Sequence, residues 1–414
     1  MHQDTQVEIL KELMRQVNEG KNIDAGVQYK MPTSAYVCPD VAAKEWELFF
    51  QNHPQLIGLS GDLAEPGSFM TIDDFGTPLL ATRDRDGVFH AFLNACRHRG
   101  VRIAQEERGR KNVFTCPFHS WSYSNAGDLV AIPDEDHFGP IDKSCNGLIE
   151  LPAVERDGLL WVHPKPDGHL DIDELLGQPL ADELASFNLG NLVHGGVKTI
   201  TMDLNWKLAN DTFGETYHFA KLHKNTLGKI IPGNNLHLEE FGRHHRFVTA
   251  SPVIGQFKGV PESEWDIHVG SAFILYYLFP NITLIAGKDN SILVKMYPDP
   301  NNSGRSTSQI FAYYSQEMID AEAAARADGT LKEVVSADTA YDPEYRSIPT
   351  LAATMEIFTS TIEQEDYLMG ELQQKSAQNG LLEYVTFGRN EPPLHHFHKT
   401  FREVLGMSPL EEVG

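Results

Sequence analysis

Cysteine is scarce in this sequence. Its 414 residues include only Cys38, Cys96, Cys116 and Cys145. Four cysteines are too few to hold together a chain of this length, which argues against a disulfide-rich secreted scaffold. Cys38 and Cys145 have no histidine at a ligand-like spacing, so we predict that both are small buried apolar residues.

Long apolar segments are missing as well. No run approaches the roughly 20 apolar residues that span a bilayer. Residues 1–5 also lack the basic and then apolar pattern of a secretory signal. We therefore expect a cytoplasmic protein that does not enter a membrane.

Positive charge is low. The sequence has 34 Lys and Arg against 58 Asp and Glu, a formal net charge of −24. Such a surface repels a phosphate backbone, so nucleic acid is not an expected partner. The negative charge could steer a basic redox partner, but solubility alone would explain it equally well.

The length fits two domains, each with its own core. A stretch rich in Pro and Gly at residues 163–169 predicts the boundary between them. Short alternating runs with Asp-Gly and Arg-Gly turns predict a small all-β domain before it. Apolar periodicity predicts an amphipathic helix at 4–18. After the boundary we predict α+β structure, with strands between 246 and 314 and helices near 205–223, 316–328 and 350–376.

Two short segments each offer a thiolate and then an imidazole, namely Cys96-Arg-His98 and Cys116-Pro-Phe-His119. Two Cys and two His also suit a structural zinc ion, but zinc sites usually pair Cys with Cys and His with His. Alternation suits a 2Fe-2S cluster in which both thiolates hold one iron and both imidazoles the other. We therefore predict a Rieske cluster with these four ligands.

A second set of candidate ligands lies at Glu215, His218 and His223. On a regular helix the two imidazoles would point about 140° apart, so the helix must bulge or end between them. We predict a π-like distortion there. A third ligand would come from Glu365 or Asp366 on the long helix, and helical periodicity does not choose between them.

Both sets resemble motifs of one family, the alpha (catalytic) subunits of Rieske non-haem iron aromatic-ring-hydroxylating oxygenases. Residues 94–100, Asn-Ala-Cys-Arg-His-Arg-Gly, and 116–123, Cys-Pro-Phe-His-Ser-Trp-Ser-Tyr, resemble the cluster-binding loops. Glu215-x2-His218-x4-His223 resembles the iron motif. Ser120 departs from the Gly that the family generally has and would be strained at a positive φ. Asp211 stands where some relatives carry Asn.

The resemblance implies a role for each candidate. Cys96, His98, Cys116 and His119 would hold one 2Fe-2S cluster per chain. His218 and His223 would hold one Fe(II), with Asp366 as third ligand and Glu365 as runner-up, in a 2-His-1-carboxylate triad. Glu215 would lie between the two metal sites and bridge a cluster imidazole and an iron-bound imidazole.

The implied fold is α+β, with a 1–35 helical extension, a Rieske domain at 36–165 and a catalytic domain at 166–414. The catalytic domain would be a helix-grip, START-like fold with an antiparallel sheet. Aromatic residues could line its pocket or belong to its core: Phe213, Phe219, Phe273, Tyr276 and Phe279.

The implied activity is that of a terminal oxygenase, which uses O2 and electrons from NAD(P)H to dihydroxylate an aromatic ring. The alternative is a Rieske monooxygenase that removes N- or O-methyl groups or hydroxylates a non-aromatic substrate. Because the sequence has no Gly-rich dinucleotide fingerprint, a separate reductase, with or without a ferredoxin, must supply the electrons. The family further implies a homotrimer, or a trimer with a small beta subunit.

Overall fold

The computed structural model describes residues 1–229, 231, 233–268, 272–331 and 350–413. It divides into two compact units. The smaller unit comprises Glu45–Leu175 and Asn188–Val193, and the larger one Met1–Lys44, Leu176–Phe187 and His194–Gly414. The domain boundaries predicted at residues 35 and 165 stay predictions.

The smaller unit is built from short antiparallel strands, as its alternating sequence predicts. A five-stranded sheet has the order Glu150–Leu151, Phe89–Leu93, Leu79–Arg83, Ser68–Ile72, Arg108–Arg110. Two three-stranded sheets are formed by Ala153–Arg156, Leu159–Val162 and Gln55–Leu59, and by Val113–Thr115, Ser122–Ser124 and Leu129–Ala131. Phe69, Phe92, Trp121 and Tyr123 pack in its core.

The larger unit contains an antiparallel seven-stranded sheet. Its order is Val193–Met202, Asn302–Tyr314, Asn290–Asp299, Ile282–Ala286, Ala272–Leu278, His244–Ala250, His237–Phe241. A small sheet joins Tyr384–Phe387, Gln28–Pro32 and Glu411–Val413. Among the described residues, the α-helices of five or more residues that lie wholly or partly in this unit are Gln3–Glu19, Pro39–Glu45, Ile172–Leu176, Gln178–Ala185, Trp206–Asp211, Gln316–Ala327, Leu351–Thr361, Tyr367–Gln378 and Pro392–Val404. The predicted strands and the helix near 316–328 are confirmed.

The predicted N-terminal helix is present as Gln3–Glu19. Its apolar face buries Ile9, Leu10 and Leu13. The helix ends at Gly20, which has φ 63° and so takes the left-handed conformation that glycine adopts without strain. In the part of the chain that the structure describes, no helix is both long and apolar enough to cross a membrane.

The helix predicted at 205–223 is much shorter than expected. It begins after Asn205, whose side chain caps the amide of Lys207 at 3.0 Å, and ends at Asp211. Successive turns follow, and a Cβ at Gly214 would lie 2.2 Å from Leu394 Cδ2, so this close approach requires glycine. The predicted π-like distortion between the two histidines is therefore wrong. A π-helical turn occurs instead at Ile362–Asp366, within the long helical segment.

Candidate metal centres

Two neighbouring loops of the smaller unit carry the four predicted cluster ligands. Cys96 and Cys116 are 3% and 2% exposed and are not joined by a disulfide. The rings of His98 and His119 have centroids 4.5 Å apart. His98 Nδ1 is buried and has no hydrogen-bond partner among the residues that the structure describes, which leaves it available to a metal. These donors suit an iron-sulfur cluster.

The two loops close in the same way behind their cysteines. Each cysteine carbonyl accepts from the amide four residues later, and each cysteine amide donates to the carbonyl five residues later: Gly100 and Val101 for Cys96, Ser120 and Trp121 for Cys116. Gly100 has φ 74° and Ser120 has φ 57°. The positive φ foreseen at Ser120 is therefore present, and its side chain makes this conformation costly.

The spacing of these donors also bears on the zinc alternative. Ligand atoms around one zinc ion lie about 2.0–2.3 Å from the metal and hence within about 4 Å of one another. Among the residues that the structure describes, only His218, His223 and Asp366 form a group of three or more such donors within 4.8 Å. The four Cys and His donors do not form such a group, and a dinuclear cluster, which separates its thiolate and imidazole ends, allows that arrangement.

Buried aromatic residues surround the loops. Tyr123 is fully buried, its hydroxyl lies 3.3 Å from Cys96 Sγ, and it accepts a 2.9 Å hydrogen bond from the amide of Arg97. Trp121 stacks on His98 with 5.1 Å between centroids. Burial, more than any other cause, raises the pKa of the Cys116 thiol, so a thiolate there needs a cation beside it.

The two remaining cysteines lie elsewhere. Cys145 is exposed at the end of a short surface turn, where its thiol donates to Asp142 at 3.4 Å, and Cys38 is half-buried. The prediction that both are buried is therefore wrong. The polar turn at Asp142 keeps Cys145 at the surface.

In the larger unit, three side chains form a compact triangle. His218 Nε2 and His223 Nε2 lie 3.1 Å apart, and Asp366 Oδ1 lies 3.3 and 3.1 Å from them. With metal–ligand bonds of about 2.1 Å, atoms on one octahedral face are about 3 Å apart. The triangle therefore fits three ligands on one face of a single ion and leaves the opposite face open.

The electrostatics of this triangle favour a cation. Burial lowers the pKa of His218, but hydrogen bonds to Asp366 and Glu215 outweigh burial and raise it to about 9. Burial raises the pKa of Asp366, but hydrogen bonds from His218 and His223 bring it below its usual value. The carboxylate thus stays charged, and a divalent metal could replace the proton that the imidazoles otherwise retain.

Each imidazole of the triangle also contacts a further carboxylate through Nδ1, the nitrogen that faces away from the triangle. Glu215 accepts from His218 Nδ1, and its other oxygen accepts from the His218 amide at 3.1 Å. Glu365 lies 2.6 Å from His223 Nδ1 and accepts from Thr226 at 2.9 Å. These contacts keep the protons on Nδ1 and present Nε2 to a metal. The second predicted contact of Glu215, to a cluster imidazole, stays a prediction.

The structure gives Glu365 and Asp366, which helical periodicity could not distinguish, different positions. Asp366 lies at the triangle, whereas Glu365 contacts the far nitrogen of His223. From the sequence, Glu365 was expected only as an alternative ligand, and this supporting position was not foreseen. The adjacency of the two residues was a usable signal, because consecutive helical side chains point in different directions and can reach opposite sides of one ring.

A cavity of about 780 Å³ opens beside the triangle and is lined by His218 and Asp366. Its wall also includes apolar side chains and three further carboxylates, those of Asp211, Glu215 and Glu391. Burial, together with Glu215 and Asp211, raises the pKa of Glu391.

None of the five aromatic residues proposed for a pocket lines this cavity. Phe219 is near the triangle, with its ring 4.8 Å from that of His218. Tyr276 instead donates to Glu183 in the core at 3.0 Å.

Comparison with known families gives two matches. Residues 189–407 match the family described as ring hydroxylating alpha subunit (catalytic domain). Residues 53–151 match the Rieske [2Fe-2S] domain.

Curated relatives include both monooxygenases and dioxygenases. The oxygenase subunit of glycine betaine monooxygenase from Chromohalobacter salexigens is 29% identical over 203 residues, 49% of this chain and 45% of the relative. Chlorobenzene dioxygenase subunit alpha from Cupriavidus sp. is 33% identical over 193 residues, 45% of this chain and 42% of the relative. The chain thus matches about half the length of these relatives.

Solved structures share the fold. The quaternary ammonium Rieske monooxygenase CntA in complex with L-carnitine has a TM-score of 0.71 at 17% identity, covering 93% of this chain and 97% of the other. Naphthalene 1,2-dioxygenase from Rhodococcus sp. bound to indole has a TM-score of 0.68 at 18% identity, covering 97% and 99%. The expected α+β fold with an N-terminal Rieske domain is confirmed.

Proposed function

Because the chain belongs to the ring hydroxylating alpha subunit family, we propose that it is a terminal oxygenase that hydroxylates an organic, aromatic substrate with dioxygen. The observation that carries the proposal is the triangle of His218, His223 and Asp366 beside a cavity. A chain that also carries a Rieske domain has the means to bring electrons to that site. They would come from NAD(P)H through a separate reductase, with or without a ferredoxin.

The ligands we assign follow the geometry of the two centres. One 2Fe-2S cluster would be held by the buried thiols of Cys96 and Cys116 and by the imidazoles of His98 and His119. One Fe(II) would be held by the triangle, with Asp366 rather than Glu365 as its carboxylate ligand.

The chain's own residues then have distinct tasks. Fe(II) at the triangle would supply dioxygen activation, with electrons from the cluster. Glu215 and Glu365 hold the Nδ1 protons of His218 and His223 and so fix the orientation of both rings. The cavity beside the triangle gives a substrate room next to the proposed metal.

Glu215 is also our candidate for the residue that bridges a cluster imidazole and the iron-site imidazole of His218. It lines the cavity while one of its oxygens holds His218, so an imidazole from a cluster could approach it from the open side. We propose that this cluster belongs to a neighbouring copy in a cyclic homotrimer, or in a trimer with a small beta subunit. The cytoplasm, where a reductase finds NAD(P)H, is the proposed location.

A second candidate function is the removal of methyl groups from a quaternary amine by monooxygenation. Similarity to glycine betaine monooxygenase and to the fold of a quaternary ammonium monooxygenase favours it. Turnover with ¹⁸O2 on aromatic acids, hydrocarbons and methylated amines separates the two functions. A cis-diol carrying both labelled atoms supports ring dihydroxylation, and formaldehyde supports demethylation. If iron-loaded, reduced protein forms neither product from any compound of the panel, both functions are contradicted.

A further inference from the structure

Asp211 occupies a position that the proposed reaction does not use. It is the last residue of the helix Trp206–Asp211, and its carboxylate is held by two buried side chains. Tyr36 donates its hydroxyl to Oδ2 at 2.8 Å, and Nε2 of His398 lies 2.8 Å from Oδ1. Tyr36 is 3% exposed and the His398 side chain is fully buried. Each carboxylate oxygen of Asp211 is therefore held by a hydrogen bond to a buried side chain.

Both contacts suit a carboxylate best. Tyr36 and His398 act as donors, and a carboxylate offers each of them an acceptor of equal quality. An amide would turn its NH2 toward one of them. His398 could accept that NH2 only by moving its proton to Nδ1, which is buried and has no hydrogen-bond partner among the described residues. The Tyr36 hydroxyl could accept the NH2, but it would then have to turn its own proton to another acceptor. Some relatives of the family carry Asn at this position, and the Asp found here fits the two donors that surround it.

The fastened residue is connected to the metal triangle through a short turn. The carbonyl of Asp211 accepts from the amide of Gly214 at 2.9 Å, and Glu215 follows directly. Leu394 packs so closely on Gly214 that a Cβ there would clash with it. Asp211 and Gly214 are therefore fixed at the two ends of the turn that presents Glu215.

One helix supplies most of these contacts. Glu391, Leu394 and His398 are spaced by three and four residues, so they follow one face at the start of the helix Pro392–Val404. His398 holds Asp211, Leu394 packs on Gly214, and Glu391 lines the same cavity as Glu215. This face runs alongside the turn at residues 211–215, which makes the helix its support.

We propose that Asp211 is a positioning residue, which ties this turn to Tyr36 and His398 so that Glu215 meets Nδ1 of His218. The inference rests on the proposed iron site. Loss of the tie lets the turn relax, Glu215 leaves the imidazole, and the ring loses the partner that orients it toward the metal. Supporting carboxylates of this kind typically change metal affinity by about 10- to 100-fold.

The test measures Co(II) binding to the metal-free mononuclear site by visible absorption. Asp211→Asn should raise the dissociation constant about tenfold, the lower end of that range, because Asp211 acts through Glu215. Asp203→Asn is the matched control, because it removes the same charge at an exposed residue just before the same helix and should leave the affinity unchanged. Tyr36→Phe, which removes one of two donors, should weaken binding about threefold.

A rescue variant separates positioning from a general structural role. His398→Gln keeps an N–H donor for Asp211 and should bind Co(II) nearly as the wild type does, whereas His398→Leu should behave like Asp211→Asn. Thermal unfolding is recorded for each variant. A lower midpoint with unchanged Co(II) affinity in Asp211→Asn would make the residue merely structural and overturn the inference.

The outcomes also separate this inference from the proposed function. Wild-type protein that binds no Co(II) at the triangle would remove the iron site and the inference with it. Wild-type binding with Asp211→Asn within twofold of it would remove the inference alone. If Asp211→Asn does not fold, Tyr36→Phe decides, since wild-type affinity in that variant overturns the proposal.

Discussion

The two candidate metal centres are assembled from sequence in different ways. The cluster ligands lie between Cys96 and His119, on loops that close with the same pattern of backbone hydrogen bonds. The triangle joins His218 and His223 to Asp366, which is more than a hundred residues away. A centre made of short, self-contained loops is visible in sequence as a motif, whereas one made by packing distant segments needs the fold to bring its members together.

The largest effect is expected when the cluster is removed and the triangle is left in place. Cys116→Ser removes a thiolate ligand, so labile sulfide should fall to background and activity should fall more than about 100-fold. Co(II) binding at the triangle should persist, because that site depends on other residues. Sulfide analysis, absorption and turnover test this. Cys145→Ser is the matched control, and a loss of Co(II) binding in Cys116→Ser would show that the two centres are not independent.

Asp366 and Glu365 are adjacent residues to which we assign different roles at the triangle. Asp366→Ala should abolish iron at the mononuclear site because a ligand is gone. Glu365→Gln leaves all three ligands and should weaken Fe(II) binding about 10- to 100-fold, since only the support of His223 is altered. Iron titration by equilibrium dialysis distinguishes the two. The opposite order of effects would exchange the roles assigned to these neighbours.

Residues with strong local patterns were predictable from sequence, and residues defined by packing were not. The N-terminal helix and the strands between 246 and 314 follow from periodicity. The helix ends early at Asp211, and Leu394, far along the chain, packs on Gly214 just beyond that end, a contact that no local pattern predicts. Likewise, the carboxylates of the cavity wall became apparent only with the fold, and the fold was needed to show that Glu365, whose adjacency to Asp366 was a signal, contacts Nδ1 of His223.

A smaller effect is expected at Ser120, which has a positive φ where the other cluster loop has Gly100. A side chain at φ 57° costs roughly 1–2 kcal/mol, and glycine's greater unfolded-state entropy offsets part of this. Ser120→Gly should therefore stabilise the protein by about 0.5 kcal/mol. Denaturant unfolding checks the value.

Ser122→Gly is the matched control for this substitution. It removes a 2.9 Å contact with Thr115 and places glycine in a strand, so it should destabilise the protein instead. Destabilisation by Ser120→Gly would show that its hydroxyl outweighs the backbone strain.

The smallest effect concerns the pH dependence of the smaller unit. Burial raises the pKa of Glu155, but hydrogen bonds from Arg83 and Ser60 outweigh burial and lower it. Because the folded pKa is depressed, the stabilisation is present above the unfolded value of about 4.3 and is lost as pH falls through the folded value.

Glu155→Gln should reduce this loss of stability between about pH 5 and 3, as followed by denaturant unfolding. Glu107→Gln, at an exposed position, serves as the matched control and should leave the profile unchanged. An identical profile for Glu155→Gln and wild type would show that the Arg83 contact makes no net contribution.

If one chain holds both a dinuclear cluster and a separate mononuclear iron, its metal content is defined. Iron, zinc and labile sulfide should be measured in the purified protein, together with EPR after reduction. We expect about three irons and two sulfides per chain and a signal from a reduced Rieske cluster. Zinc without labile sulfide would rule out the cluster.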